Sequence, residues 1–319
     1  MKVLALAGGV GGAKLADGLA QVLSPGDLTV VVNTGDDFEH LGLHISPDLD
    51  TVCYTLAGLA NPVTGWGRTG ETWNVLESLA ELGGPTWFRL GDRDLGTHLQ
   101  RTQMLHGGQS LTFITRSFCQ AWGVKHTVLP MSDEKVRTIV ITGEGELEFQ
   151  DYFVRRQCLP KVEGFVFKGV QTSQPAPGVL KAIGEAQLVV FCPSNPWVSI
   201  DPILSVPGVR SALKSHLDQG NAVIAVSPII GGQAVKGPAA KMYAELGVQP
   251  SAMAVARHYG ASREDGLLSG FVLDRIDGDQ ETDITDLGIR TLLTETIMRT
   301  AEDRIRLAYE ILQFGNSFG

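Results

Sequence analysis

Four aspartates in two short runs, Asp36-Asp37 and Asp48-Leu49-Asp50, are the residues of this sequence best suited to hold a divalent cation. Mg²⁺ takes oxygen ligands and keeps several waters, so one or two carboxylates plus a substrate's phosphates complete its shell. Asp36 and Asp50 are the candidate metal ligands and catalytic residues. Asp48 or Asp50 can also cap a helix that begins near Thr51, a purely structural use of the same side chains.

Ahead of the aspartates stands Gly8-Gly9-Val10-Gly11-Gly12-Ala13-Lys14, directly after the apolar run Val3 to Ala7. A glycine-rich turn from strand to helix lets backbone N–H groups approach phosphate, and the helix N-terminus adds partial positive charge. Gly9, Gly11, Gly12 and Lys14 are therefore candidate phosphate ligands. The run is not G-x-G-x-x-G, because Lys14 stands where a third glycine would be, and no P-loop Gly-Lys-Ser/Thr follows it. A tight turn that binds nothing is the other reading.

Three further segments carry polar or aromatic groups suited to a ligand. In Trp87-Phe88-Arg89-Leu90-Gly91-Asp92, a short strand over Thr86–Leu90 would put Trp87 and Arg89 on one face. The Arg89 guanidinium then offers a planar fork of donors, or pairs at the surface with Asp92 or Asp94. Trp66, in Gly65-Trp66-Gly67, is a loop indole able to stack on a flat ring or to join the core. Ser194 and Asn195, in Pro193-Ser194-Asn195-Pro196, and Lys236, ahead of Pro238, each follow an apolar strand run and are candidate substrate contacts. His40 and His44 lack a third partner for zinc, and no G-x-S-x-G elbow is present.

The elements that must position these groups read as one α/β domain over 1–319. Val3 to Ala7, a helix with Leu15, Leu19, Val22 and Leu23 on one face, and Leu28 to Asn33 form a βαβ unit. Its crossover is expected to be right-handed and its strands parallel. Helical patterns occupy 48–59, 71–82, 94–105 and 110–122. Residues 130–185 change character, with strands at Val136–Thr142, Glu146–Val154 and Gly164–Val170, and form a mixed α+β insertion. Strands at Gln187–Cys192 and Ala222–Val226 then alternate with helices at 201–219 and 238–247, and a long amphipathic helix spans Thr294–Leu312. The fold class is α/β, a Rossmann-like doubly wound, mainly parallel sheet with that insertion.

Composition bounds the function. With 43% apolar and 19% charged residues in 319, the chain is a globular protein with a large core. No apolar run spans a bilayer, and the short apolar N-terminus reads as a strand rather than a signal peptide. Four scattered cysteines without C-x-x-C read as buried thiols, as in a reducing cytoplasm. A net charge of −9 argues against nucleic acid as a partner but not against a phosphorylated small substrate.

Taken in order, Gly8 to Lys14, Asn33-Thr34-Gly35-Asp36-Asp37, Ser46-Pro47-Asp48-Leu49-Asp50-Thr51, Gly65-Trp66-Gly67, Glu71-Thr72-Trp73-Asn74, Leu90-Gly91-Asp92-Arg93-Asp94-Leu95, Pro193 to Pro196 and Ser227-Pro228-Ile229-Ile230 resemble the 2-phospho-L-lactate transferase family. The resemblance covers most of the chain and is weakest in 130–185 and after about residue 260. It implies an Mg²⁺-dependent cytoplasmic transferase of coenzyme F(420) biosynthesis. Such an enzyme moves a phospholactyl or phosphoenolpyruvyl group from a guanosine-diphosphate-activated donor to FO, 7,8-didemethyl-8-hydroxy-5-deazariboflavin, and releases GMP. It also implies metal or FO contacts at Asp36 and Asp50 and an FO contact at Arg89. The identity of the three-carbon acid stays open, and so does the role of Asp50 as ligand, FO contact or base. A homodimer through the long C-terminal helix is expected. The alternative is a nucleotide-binding regulator of the gluconeogenesis-factor-like type, without transferase chemistry.

Overall fold

The computed structural model describes residues 1–318. Seven parallel strands form the central sheet, in the spatial order Arg290–Thr294, Gly270–Asp274, Ala222–Val226, Leu188–Phe191, Val3–Ala7, Leu28–Val32 and Thr127–Pro130. Chain order reverses between Val3–Ala7 and Leu188–Phe191, which makes the crevice beyond their carboxyl ends the switch point of a doubly wound sheet. The glycine turn and the Pro193-Ser194-Asn195 segment both leave the sheet at that crevice.

Strand alternation divides the core. Val3, Ala5 and Ala7 face one layer, with Leu15 and Leu19 of the helix Gly9–Val22 and Leu307 and Ile311 of the helix Ala301–Asn316. Leu4 and Leu6 face the other, with Ile183, Leu213 and Val255. Both faces are covered, so the central strands read as unbroken apolar runs.

The insertion is real and carries its own sheet. Arg137–Thr142 pairs antiparallel with Gly145–Glu148 and with Val162–Lys168. The expected strand over Glu146–Val154 stops at Glu148, and Asp151–Arg155 is a π-helical turn instead. Two other expectations are corrected. Thr86–Leu90 forms no strand and runs as an irregular segment whose Trp87 and Phe88 pack on Phe38. The long C-terminal helix does not start at Thr294, which ends the edge strand Arg290–Thr294; it begins at Ala301, where Thr300 and Asp303 form a capping box. Thr127–Pro130 and Gly270–Asp274, missed in the sequence, are short runs whose partners lie far away in the chain.

The apolar face of Ala301–Asn316 lies on the helix Gly9–Val22 of the same chain, so a dimer through that face is not what the helix provides. Gly18 sets the approach, because a Cβ there would sit 2.2 Å from the Arg304 carbonyl oxygen. Asp17 pairs with the Arg304 guanidinium beside it at 2.9 Å. All four cysteines are free thiols, and three are buried. Among the described residues no helix is long and apolar enough to cross a membrane. Gly18→Val should push the two helices apart and cost about 1–3 kcal/mol by overpacking. Urea unfolding of the variant measures this, and a stability equal to wild type would show that the helices separate freely.

Candidate active site

A cleft of about 740 Å³ opens at the switch point. Its floor is the glycine turn. Gly8 is extended, and Gly9 turns the chain into the helix with φ of 61°. Asp48 Oδ1 accepts the Gly9 N–H at 2.8 Å, and Ser194 Oγ accepts the Gly8 N–H at 3.1 Å while donating to the Gly8 carbonyl at 2.8 Å. The other glycines of the turn answer to packing. A Cβ on Gly11 would stand 2.3 Å from the Pro193 carbonyl oxygen, and one on Gly12 would stand 2.5 Å from Ser194 Oγ. Gly9, Gly11 and Lys14 line the cleft, whereas Gly12 is buried beneath it. The Lys14 ammonium already donates to the Met298 carbonyl at 2.6 Å. Burial, then Arg304 and Lys236, hold it below the usual lysine range.

Asn33 organises the carboxylates. Its amide donates to Asp48 Oδ2 at 2.9 Å and to the Val198 carbonyl at 3.0 Å, and its Oδ1 accepts the Gly35 N–H. That turn presents Asp36 to the cleft, buried, with Oδ1 unpartnered among the described residues. Burial first, and then the neighbouring Asp48, raise the Asp36 carboxyl well above the carboxylate range. Asp48 is pushed up to about 6, chiefly by burial, with Asn33 and the Gly9 N–H acting in the opposite sense. Asp37 serves structure: its Oδ2 accepts from Ser46 Oγ at 2.8 Å and meets His44 Nε2 at 3.0 Å.

Asp50 also lines the cleft, but both of its oxygens are clasped by the guanidinium of Arg101, itself buried on the helix Asp92–His106. Burial pushes the Asp50 carboxyl upward, and the Arg101 and His98 charges oppose that push. His98 stands between Asp50 and Asp94, 3.7 Å from the first and 3.4 Å from the second, and Tyr54 donates to Asp94 at 2.7 Å. Sequence reasoning missed this network. Its signal was available: Asp94, His98 and Arg101 recur at the spacing of one helix face.

Arg89 reaches the cleft, but not from a strand. Its guanidinium lies over the Trp73 ring, 4.3 Å from the centroid. The surface pair with Asp92 does not form, because Asp92 caps the helix Asn74–Glu81 through the Asn74 and Val75 N–H groups. Glu71 returns the favour by accepting the Arg93 and Asp94 N–H groups at the start of Asp92–His106. Much of the Glu71-to-Asn74 and Gly91-to-Asp94 motifs is thus reciprocal helix capping. Asn195 lines the cleft while its Oδ1 accepts the Trp197 N–H, and Lys236 donates across the mouth to the Thr64 carbonyl at 2.7 Å, beside Trp66.

Among the described residues no three His, Cys, Asp or Glu side chains converge as a closed metal cage. The donors do suit a cation that keeps its waters. Asp36 Oδ1 is free, a second carboxylate lies beside it, and a bound cation would offset the charge that burial now disfavours.

The model of the family described as 2-phospho-L-lactate transferase CofD matches residues 3–284. A phosphoenolpyruvate transferase of Streptomyces griseus is 44% identical over 318 residues, 98% of each chain. Phosphoenolpyruvate transferases of Streptomyces coelicolor and Thermobifida fusca are 43% and 45% identical, over 98% and 88% of this chain and 97% and 88% of theirs. A solved UPF0052-family structure from Bacillus halodurans shares the fold, with a TM-score of 0.63 at 16% identity over 98% of both chains.

Two outcomes follow from the buried charges. Arg101→Met leaves Asp50 buried and unpaired, so it should lower unfolding free energy by about 3–5 kcal/mol. The double variant with Asp50→Asn should recover part of the loss in urea unfolding, and an undiminished deficit would argue against an ion pair. The second outcome concerns Asp48. Its folded value, about 6, lies above the ordinary 3.8. Its contribution to stability is therefore complete below the unfolded value and lost as pH rises through the folded one. Asp48→Asn lacks that loss. Without divalent cations, variant-minus-wild-type stability should grow from about pH 4 to pH 7 by up to about 3 kcal/mol. A flat difference would place Asp48 in an ordinary aqueous environment.

Proposed function

The chain belongs to the 2-phospho-L-lactate transferase CofD family, and from that membership we propose that it transfers a phosphoenolpyruvyl group from a guanosine-diphosphate-activated donor to FO in coenzyme F(420) biosynthesis. The observation that carries this reading is the near full-length likeness to proteins named phosphoenolpyruvate transferase. Those names favour the enolpyruvyl acid over phospholactate as the donor's three-carbon group.

The terminal ribityl hydroxyl of FO attacks the donor phosphorus that bears the enolpyruvyl group. The phosphoanhydride bond to the guanosine-bearing phosphate breaks, GMP departs with the bonding electron pair, and a phosphodiester remains. The protein's share of such chemistry is positioning and charge stabilisation. First-turn amides of the helix Gly9–Val22 and the Lys14 ammonium face the donor's diphosphate. Asp50, held against Arg101, orients the FO hydroxyl and receives its proton. Arg89, kept flat by Trp73, donates to FO oxygens. Ser194, Asn195 and Lys236 border the donor's seat. Asp36, with Asp48 or Asp50 beside it, would hold Mg²⁺, which when bound would supply charge neutralisation to the diphosphate.

Purified protein incubated with FO, the enolpyruvyl donor and Mg²⁺ should release GMP and yield an FO phosphodiester by mass spectrometry. The phospholactyl donor should react more slowly. No FO adduct with either donor would reject the assignment. Asp36→Asn keeps the side chain's size but removes its charge. It should lower turnover on the order of a hundredfold or more, a loss of roughly 3–4 kcal/mol of transition-state stabilisation. Near-wild-type turnover of this variant at limiting Mg²⁺ would remove Asp36 from the reaction.

A further inference from the structure

The insertion contributes a wall to the cleft that none of the motifs above contains. Phe149, Gln150, Phe153 and Gln157 line the cleft that also holds Asp36 and Asp50. Phe149 and Phe153 are stacked with ring centroids 5.4 Å apart and planes 9° from parallel. Their alignment comes from the π-helical turn Asp151–Arg155, a conformation that recurs at functional sites. Phe149 is anchored in the small core of the insertion, with Tyr152 and Val162. Phe153 is 37% exposed. Gln157 and Cys158, immediately beyond the turn, both adopt positive φ, at 51° and 58°. Gln150 is only 5% exposed, yet its side chain caps nothing and its amide joins no hydrogen bond among the described residues. The Gln150 amide atoms keep solvent contact at the cleft, so a donor and an acceptor stand ready there for a ligand.

We propose that this wall is the seat of the acceptor's ring system, with the deazaflavin stacked on the Phe149–Phe153 pair and its pyrimidinedione edge read by the Gln150 amide. The inference rests on the FO-transferase reading. An imide edge presents acceptor, donor and acceptor in a row. One carboxamide can accept from the ring N–H and donate to a flanking carbonyl oxygen. The ring of FO is flat and carries no phosphate, and the cleft-lining residues of this wall bear no charge. Lys14, the glycine turn and the Ser194 and Lys236 loops, by contrast, follow strand ends at the switch point and suit the diphosphate-bearing donor. The inserted segment would thus be where the fold gains selectivity for its acceptor.

The test is titration of FO fluorescence with wild-type protein, Phe153→Ala and Gln150→Leu, with GDP binding measured by calorimetry on the same samples. Both variants should bind FO at least about fivefold more weakly, and GDP as wild type does. FO methylated at its imide nitrogen should lose affinity for the wild type but lose little more with Gln150→Leu. That ligand comparison needs no assumption about the variants' folding, because its first arm uses the wild type alone. If wild type binds FO and both variants match it, the wall is not the ring's seat, while the transferase reading stands. If the variants lose GDP instead, the wall belongs to the guanosine. If wild type binds no FO at all, the transferase reading and this seat fall together.

Discussion

The close fit of the glycine turn between Asp48 and Ser194 is the constraint on which the site depends. Each of these side chains takes one backbone N–H of the turn, and neither contact leaves room for a Cβ at Gly8 or Gly12. The turn in this way joins three separate stretches of chain at the point where the sheet reverses order. Asp48 is itself held by Asn33, which also shapes the turn that presents Asp36. One hydrogen-bonded knot therefore fixes the positions of the phosphate seat and of the free carboxylate relative to each other. An anion site and a cation site placed so rigidly need little reorganisation when charge shifts between them.

The electrostatics of the cleft divide the aspartates by their neighbours. Asp50 has a guanidinium and a histidine beside it, whereas the charges beside Asp36 and Asp48 are other aspartates in a low-dielectric surrounding. Burial acts upward on all three, and only Asp50 has an arginine to oppose it. The same residue type thus meets two environments within one cleft, one where fixed positive charge opposes the effect of burial and one that calls for a partner cation.

Around this centre the helix termini act as fasteners. Asp92 and Glu71 cap each other's helices, and that brace carries Trp73, over which Arg89 lies. Lys14 and Lys236 tie the cleft to Met298 and Thr64. The insertion adds an uncharged aromatic wall to a cleft whose other contributions come from strand ends. Charged and flat surfaces in one cavity match a reaction between a diphosphate and a ring-bearing alcohol.

The sequence by itself determined the βαβ opening, the alternation of strands and helices, the presence of an insertion and the family. These rest on local signals: apolar runs, helical periodicity, glycine punctuation and ordered motifs. It also named Asp36, Asp50, Arg89 and Lys14, all of which line the cleft. Only the tertiary structure decided how each is used. Whether Gly11 and Gly12 serve a ligand or a neighbour depends on the Pro193–Ser194 segment, some 180 residues away, and no local pattern reports that approach. The capture of Asp50 by Arg101 joins residues 51 apart. Thr127–Pro130 and Arg290–Thr294 become strands because the sheet edges accept them, not because their own residues alternate. The π-turn at Asp151–Arg155 reads as strand in the sequence, since it continues the alternating run Glu146–Gln150 with the aromatic and β-branched residues Tyr152, Phe153 and Val154. Packing of Phe149 and Tyr152 with Val140 and Val162 overrides that local preference, and Phe153 and Gln150 come to line the cleft.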